Sequence, residues 1–411
     1  MSERNIKLDL VEAANTQTQV SITGSQTGNR YLTTEFTYGV LVPDENHPLS
    51  NVSVANSSLS IDPWVGCKWQ CAYCHVQGSN QDLAENNAMP RDPRRRSAHT
   101  IQEIIDELVE HPFFVPDETV ISIGTASTEP LAQGPVIDST LEIMDTMIHK
   151  GLQNPFWIVT KRGVPKGLGS KIERVVEATK GLMISLCWAD NPKNIEPVQN
   201  NRFKYADEAQ AAGATLAWYM RPLSPSWSGT PEKVEQMMQW MQGRYDHLLS
   251  AIVPGGLRWS EGIEHGMTEI RGLPKPAVSE LNDNQKDLPL DLARTILELS
   301  KVYLPDLPVY FKSSCALTHM LGVASITSVS AQSRFECEAS ICPDEQRSIC
   351  ANGRIHTMDT HQAQEVVDRL RIPLQVRGWT EKREPITRPS LSDQTYAIKQ
   401  TVLNNLERGV K

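Results

Sequence analysis

The apolar and polar positions between residues 53 and 303 alternate between two periods. Short apolar runs such as 119–124 are typical of buried strands, whereas Ile101, Ile104, Ile105 and Leu108 recur at helical spacing. The pattern predicts strands over 53–61, 119–124, 156–160, 182–187, 214–220 and 247–253, with helices beginning near 100 and at 138, 170, 201, 231 and 290. Six strands separated by helices indicate an α/β fold with a parallel sheet and right-handed crossovers.

The rest of the chain does not follow this rhythm. Residues 1–55 form a polar N-terminal extension, 56–303 hold the predicted α/β domain, and 304–411 form a cysteine-rich C-terminal extension. We expect 254–287 to be a long loop, and 362–371 and 396–407 to be helices in the tail. In a sheet of this kind, binding and catalytic side chains are expected where strands end and loops begin.

Composition narrows the classes of function. No apolar run reaches the length of a membrane span, and the first residues lack the apolar core of a signal peptide, so a cytoplasmic protein is predicted. The net charge of −9 argues against a broad phosphate-binding surface. Eight cysteines in such a chain favour metal or redox chemistry over disulfides.

Three of these cysteines, Cys67, Cys71 and Cys74, lie on one short segment directly after the first predicted strand. Three thiolates can hold three irons of a 4Fe-4S cluster and leave the fourth iron open to a small molecule. A structural zinc site is the alternative, but it normally needs four protein ligands, and only His75 is close in sequence.

The segment Asp62–Cys74, read DPWVGCKWQCAYC, resembles the cluster loop of the radical S-adenosylmethionine (radical SAM) enzymes, and most closely that of the spore photoproduct lyase-like branch. Shorter matches follow at Gly124–Pro130, at Thr160-Lys161 and at Arg221-Pro222, and Arg202 and Gly213 also fit, so the resemblance covers roughly 55–260. Asp62, Trp64 and His75 depart from the branch, which puts photoproduct repair itself in doubt.

The resemblance implies a partial (β/α)6 barrel and a 4Fe-4S cluster that binds S-adenosylmethionine. It implies reductive cleavage of that cofactor to a 5′-deoxyadenosyl radical, with electrons from a donor such as a flavodoxin or ferredoxin. A bound cofactor needs polar partners for its amino, carboxylate and ribose groups. The candidates at the predicted strand ends are Ser127, Thr128, Glu129, Lys161, Ser185 and Arg221.

Cys187 ends the fourth predicted strand and faces the same edge of the sheet if the register is right. A thiol there could donate a hydrogen atom to a substrate radical. Lone cysteines are also common as small buried hydrophobic residues, so both interpretations stay open.

A second cysteine group lies in the C-terminal extension: Cys315, Cys337, Cys342 and Cys350. Four thiols can complete an auxiliary 4Fe-4S cluster or a tetrahedral zinc site, and the lack of paired C-x-x-C knuckles favours iron. Unlinked thiols are the third interpretation, and His319, one helical turn after Cys315, is a possible substitute ligand.

The leading hypothesis is a radical SAM enzyme that abstracts hydrogen from a small-molecule or peptide substrate. A nucleic-acid lyase or modification enzyme is the alternative, with Arg94, Arg95 and Arg96 as the phosphate contact. A non-catalytic zinc or iron–sulfur protein is the third hypothesis.

Overall fold

The structure is a computed structural model that describes most of the region predicted to be folded. The described residues are 51–55, 58–74, 92–110, 114, 116–117, 119–125, 127–132, 134–198, 201–258, 261–269, 271–275, 288–322, 342–352, 360–369, 375–379 and 385–388. Most of the N-terminal extension and the predicted helix at 396–407 therefore lie outside the described residues.

A seven-stranded sheet forms the centre of the fold, in the order β1-β2-β5-β6-β7-β8-β9. Its strands are β1 (Val52–Ala55), β2 (Ser58–Ile61), β5 (Ile121–Ile123), β6 (Phe156–Thr160), β7 (Leu182–Cys187), β8 (Thr215–Tyr219) and β9 (Ala251–Ile252). Strand β1 pairs antiparallel with β2, and the six strands from β2 to β9 are parallel to one another. The α/β prediction with six parallel strands is confirmed.

The sheet is open, because β1 and β9 lie at opposite edges of the strand order. Its curvature into a partial barrel therefore stays a prediction. The first predicted strand was wrong in one respect: residues 52–55 and 58–61 pair with each other as two antiparallel strands instead of forming one long strand. The turn-favouring residues Asn56 and Ser57 separate them in the sequence.

The helices that follow the parallel strands match the predicted pattern. They are α1 (Ile101–Glu110), α2 (Pro135–His149), α3 (Gly169–Ala178), α4 (Ala206–Ala211), α5 (Pro231–Met241) and α7 (Leu290–Tyr303). Three predictions were wrong in detail. The helix predicted from 201 begins only at Ala206, as α4. The expected loop at 254–287 contains α6 (Glu261–Thr268), and the expected strand at 247–253 is only β9, preceded by a short 3-10 helix at Asp246–Leu248.

The two faces of the sheet differ in what covers them. Phe156, Ile158 and Ile184 belong to a large core shared with the helices. Their neighbours Trp157, Met183 and Cys187 point the other way, as alternation along a strand requires, and belong to a smaller cluster with Ala217, Tyr219, Ala251, Val253, Tyr310, Ala316 and Leu317. We call these the helix face and the inner face.

The C-terminal extension covers the inner face. Ile252 donates its amide to Pro308 O at 2.9 Å, and the Tyr310 amide donates to Ile252 O at 2.8 Å, so this segment continues the sheet beyond β9. The next helix, α8 (Ser313–Met320), contributes Ala316 and Leu317 to the inner-face cluster. The extension is therefore packed into the α/β domain here.

The remaining elements of the extension are α9 (Asp344–Asn352), α10 (Thr360–Arg369) and the antiparallel pair β10 (Gln375–Trp379) and β11 (Pro385–Arg388). The helix predicted at 362–371 is thus confirmed with slightly earlier bounds. Ala363, Val367 and Val376 pack with the helix-face core. Across the described residues, every helix is too short or too polar to cross a bilayer.

Candidate functional site

The cysteine loop leaves the sheet at the carboxyl end of β2, where its first part is tied to the end of β5. Gly66 donates its amide to Ser127 O at 3.2 Å, and the Thr128 hydroxyl donates to Gly66 O at 2.6 Å. The Ser127 hydroxyl donates to Asp62 Oδ1 at 2.8 Å, with both residues buried. We call these contacts the entry anchor. Gly66 has a φ of 104°, a conformation that favours glycine.

The basic run is also joined to this part of the loop. A short antiparallel pair links β3 (Trp64–Val65) to β4 (Arg94–Arg95). The Arg95 guanidinium lies 5.6 Å from the centre of the Trp64 ring, and buried Arg96 donates from Nε to Asp62 O at 3.1 Å. Only Arg94 of the three arginines is exposed. Two of the three proposed phosphate contacts therefore support the loop.

The end of the loop is held by a buried carboxylate, Glu196. Tyr73 donates its hydroxyl to Glu196 Oε2, and the Arg202 guanidinium donates to Glu196 Oε1. The Lys161 ammonium lies 3.3 Å from Glu196 Oε2 and also donates to the Tyr73 hydroxyl. Asn191 Nδ2 donates to the same Oε2 at 3.3 Å. We call this network the exit anchor.

Sequence analysis missed Glu196 and Asn191 altogether. No local motif marks either residue. The one available signal was position, because both lie in the loop after β7, at the edge of the sheet where functional groups were expected.

Glu129 and Lys161, both predicted to contact the cofactor, are each engaged by neighbouring groups. Glu129 Oε1 accepts from the Thr160 hydroxyl at 2.5 Å and Oε2 accepts from the Lys161 amide at 2.8 Å. Burial raises the pKa of Glu129, and these hydrogen bonds oppose the effect. Burial would lower the pKa of Lys161, but neighbouring acidic groups, Cys187 and then Glu196, raise it overall.

Cys187 is brought to the same place as the cysteine loop. Its thiol donates to Arg221 O at 3.5 Å, and the residue lies within electrostatic range of both Lys161 and Tyr73. Cys187 is the last residue of β7 and belongs to the inner-face cluster. Its role as a hydrogen donor stays a prediction.

The three loop thiols have the donor chemistry of the expected cluster. Burial, together with the charge of Glu129, raises the pKa of Cys67 to about 12, and burial also raises the pKa of Cys71. Buried thiols of this kind become ligands only when a cation stabilises the thiolate. In the part of the chain that is described, no three Cys, His, Asp or Glu side chains already surround a common metal position. The fit of Cys67, Cys71 and Cys74 to a 4Fe-4S cluster rests on residue type and on spacing along the chain.

The remaining predicted site residues lie around the same edge or on the inner face. Ser185 is buried on β7 and accepts from Trp157 Nε1 at 2.9 Å. Arg221 lies two residues after the end of β8, and the peptide bond between Arg221 and Pro222 is cis. Ser127 and Thr128 are occupied in the entry anchor.

The second cysteine group is described only in part. Cys315 and Cys342 both pack against the inner-face cluster that contains Cys187. Cys337 and the side chain of Cys350 lie outside the described residues. The His319 ring lies 5.5 Å from the Tyr310 ring, and burial lowers the pKa of His319. A shared metal at these cysteines stays a prediction.

Comparisons with known proteins give likenesses among solved structures and none in sequence. No protein-family model and no curated protein matches the chain. Among solved structures, the chain is similar to Streptococcus suis SuiB bound to S-adenosylmethionine, with 12% identity and a TM-score of 0.37. The match covers 62% of this chain and 49% of SuiB, so the chain spans about half the length of that protein. The functional assignment therefore rests on the residues of the chain itself.

Proposed function

We propose that the protein is a radical SAM enzyme that acts on a small-molecule or peptide substrate. The observation that carries this proposal is the position of the Cys67, Cys71 and Cys74 loop at the carboxyl end of the first parallel strand. A loop that holds a cluster in one position must itself be fixed by neighbouring groups. Here the entry anchor and the exit anchor hold it on either side.

Cys67, Cys71 and Cys74 are the residues that would hold a 4Fe-4S cluster. When bound, that cluster supplies one electron to the sulfonium of S-adenosylmethionine and so yields a 5′-deoxyadenosyl radical. The polar groups at the strand ends, Ser127, Thr128, Glu129, Lys161, Ser185 and Arg221, are proposed to bind and orient the cofactor. Lys161 and Glu129 already share hydrogen bonds with other groups of the protein. They would therefore orient the cofactor indirectly, by fixing the positions of the residues around it.

Cys187 is proposed as the group that returns a hydrogen atom to the substrate radical; the thiyl radical left on Cys187 would take one electron from the external electron donor and a proton from solvent to become the thiol again. It lies on the inner face at the last position of β7, close to Lys161. The inner face below it is partly polar, since Trp157 and Ser185 are hydrogen-bonded there.

The charge of the protein argues against a nucleic-acid substrate. The net charge is −9, and Arg95 and Arg96 are bound to the cysteine loop and its neighbours. Neither observation favours a nucleic-acid backbone. An electron donor of the flavodoxin or ferredoxin type, and an auxiliary 4Fe-4S cluster at Cys315, Cys337, Cys342 and Cys350, belong to the same proposal.

The test is anaerobic reconstitution with iron and sulfide, followed by incubation with dithionite and S-adenosylmethionine. We expect 5′-deoxyadenosine from the wild type and none from a Cys67/Cys71/Cys74→Ala variant. The matched control is Ser300→Ala, which also shortens a buried polar side chain, on α7 and outside the proposed site, and should keep cofactor cleavage. Binding of zinc alone, with no 5′-deoxyadenosine from the wild type, would show that the chain is a non-catalytic metal protein.

A further inference from the structure

The cysteine loop contains a backbone conformation that its residue type does not favour. Gln70, the residue before Cys71, has a φ of 49°, in the left-handed region. Asparagine, aspartate and histidine are the side chains enriched there, so a glutamine keeps this conformation only where neighbouring groups hold it. Among the described residues, Asp117 is the one other non-glycine residue with a positive φ, and it precedes β5 at the opposite edge of the sheet.

The Gln70 side chain holds this conformation by a hydrogen bond within the loop. Its Nε2 donates to Cys67 O at 2.9 Å and so closes a turn between the two residues. Trp69, inside the turn, is fixed by packing, because its ring lies against an apolar cluster that includes Cys71 and Ile263. The hydrogen bond and the packing together determine the direction of the backbone from Cys67 to Gln70.

The turn directs two backbone N–H groups at the first thiol of the loop. Burial raises the pKa of Cys67 overall, and backbone hydrogen bonds from Trp69 and Gln70 oppose this rise because they favour the thiolate. Successive N–H groups in a turn that ends in a left-handed residue form a concave anion site, a type that occurs at iron–sulfur centres. The Cys67 sulfur takes the place of the anion in this turn.

The Cys71 thiol has different surroundings. Burial raises its pKa most, and the two strongest charges acting on it are those of Lys161, which favours the thiolate, and Glu196, which opposes it. Both charges belong to the exit anchor. Side-chain charges therefore act on Cys71, whereas backbone dipoles act on Cys67, so the geometry of the turn can change the surroundings of one thiol without changing those of the other.

We propose that Gln70 is a positioning residue whose left-handed backbone aims two N–H groups at the Cys67 sulfur and so raises the reduction potential of the cluster bound there. Hydrogen bonds to the sulfurs are among the factors that set such potentials. An N–H donor stabilises the reduced cluster more than the oxidised one, since reduction adds negative charge. The inference rests on the proposed function for the presence of the cluster, and it adds a residue that sets how readily a donor reduces it.

Two substitutions at position 70 separate the backbone from the side chain. Gln70→Val and Gln70→Gly both remove the polar side chain, but valine strongly disfavours a positive φ whereas glycine adopts it readily. The measurement is a redox titration of the anaerobically reconstituted full-length protein, followed by the EPR signal that is absent from the Cys67/Cys71/Cys74→Ala variant. We expect Gln70→Val to lower the ratio of reduced to oxidised cluster at a fixed potential by about tenfold, or about 59 mV for one electron. Gln70→Gly should keep a potential close to that of the wild type.

Asp117→Val is the matched control for backbone strain. It places the same β-branched side chain at a φ of 62°, outside the proposed site. It should lower the midpoint of urea denaturation, as Gln70→Val does, and leave the potential at the wild-type value. An equal fall of the potential in Asp117→Val would show that lost stability, and not the direction of the N–H groups, changes the potential, and would overturn the inference.

A second readout needs no cluster. Hydrogen–deuterium exchange over residues 67–74 of the metal-free, full-length protein reports whether the backbone N–H groups of the turn are protected. After correction for intrinsic rates, we expect exchange of the N–H groups of residues 69 and 70 to be about tenfold faster in Gln70→Val than in the wild type or Gln70→Gly. Equal exchange in the wild type and Gln70→Val would show that the turn does not depend on residue 70, and would overturn the inference.

The outcomes separate this inference from the proposed function. Equal potentials in the wild type and Gln70→Val overturn the inference alone. An equal fall in Gln70→Gly and Gln70→Val also overturns it, because the effect would then belong to the lost side chain and not to the backbone. A wild type that holds a cluster at these cysteines but makes no 5′-deoxyadenosine refutes the proposed function alone, and a wild type that binds no cluster there refutes both.

Discussion

The two anchors of the cysteine loop solve the same structural problem with different chemistry. The entry anchor uses mostly hydroxyl and backbone groups, such as Thr128 Oγ1 to Gly66 O; its one carboxylate, Asp62, meets a hydroxyl, and no cationic side chain is part of the anchor. The exit anchor uses charged groups around Glu196, which meets Tyr73 from 123 positions away in the sequence. Each neutral hydrogen bond contributes little to stability, and removing one leaves the others intact. Removing one member of a buried charge network leaves the remaining charges unpaired, so its members stabilise the protein together.

The two anchors also tie the cysteine loop to different parts of the fold. The entry anchor fixes the direction in which the chain leaves β2, because Gly66 and Asp62 are bound at the first residues after that strand. The exit anchor joins the loop to Lys161 after β6 and to Arg202 before α4. It therefore couples the loop to the far side of the site.

The largest expected effect is that of removing the centre of the exit anchor. Glu196→Ala leaves the buried Arg202 and the partly buried Lys161 without their carboxylate, and we expect a loss of about 3–5 kcal/mol in the free energy of unfolding. The measurement is urea denaturation of the full-length protein, followed by circular dichroism. Glu173→Ala, at an exposed position on α3, is the matched control and should change stability by less than about 0.5 kcal/mol. A loss below 1 kcal/mol for Glu196→Ala would mean that the network is not a unit.

A single hydroxyl deletion tests the same anchor more gently. Tyr73→Phe keeps the ring and removes the donor to the Glu196 carboxylate. A hydrogen bond to a charged group gives an expected loss of about 1.5–3 kcal/mol. The same urea titration measures it, and a double variant with Glu196→Ala should lose little more than Glu196→Ala alone, because the two groups act together. Full additivity would contradict the shared network.

The matching deletion in the entry anchor should cost less. Thr128→Val removes a neutral hydrogen bond to Gly66 O, for an expected loss of about 0.5–1.5 kcal/mol. It should also make Cys67 react faster with iodoacetamide in the metal-free protein, since Gly66 is no longer held. Thr179→Val removes a comparable 2.7 Å hydrogen bond to Val175 O at the end of α3 and should leave that rate unchanged. Equal rates in the two variants would show that the hydroxyl of Thr128 does not fix the loop.

The smallest effect concerns pH. Burial raises the pKa of Glu129 above its ordinary value of 4.5, so the folded protein binds a proton more tightly than the unfolded chain. This contribution to stability is fully present below the unfolded pKa and is lost as the pH rises through the folded one. We expect the stability of the wild type relative to Glu129→Gln to fall as the pH rises above about 4.5, with a constant offset from the changed hydrogen bond to the Lys161 amide. If the stability of the wild type relative to Glu129→Gln rises with pH over this range, the pKa of Glu129 is lowered in the folded protein and the prediction is wrong.

The sequence by itself determined the order of strands and helices and the position of the cysteine loop. Periodicity is a local property, so Phe156–Thr160, Leu182–Cys187 and Pro231–Met241 could be predicted almost residue by residue. The rule that chemistry lies at strand ends was enough to select Lys161, Cys187 and Arg221 as residues at one edge of the sheet.

Only the tertiary structure decided which of those groups meet and what completes them. The partner of Tyr73 and Lys161 is Glu196, and the partner of Asp62 is Ser127. Each of these contacts joins segments that are distant along the chain, and no local pattern records them. The coverage of the inner face by α8 follows the same logic. The apolar residues of α8 are buried only when they pack against another apolar surface, and the arrangement of strands and helices decides which face of the sheet is available.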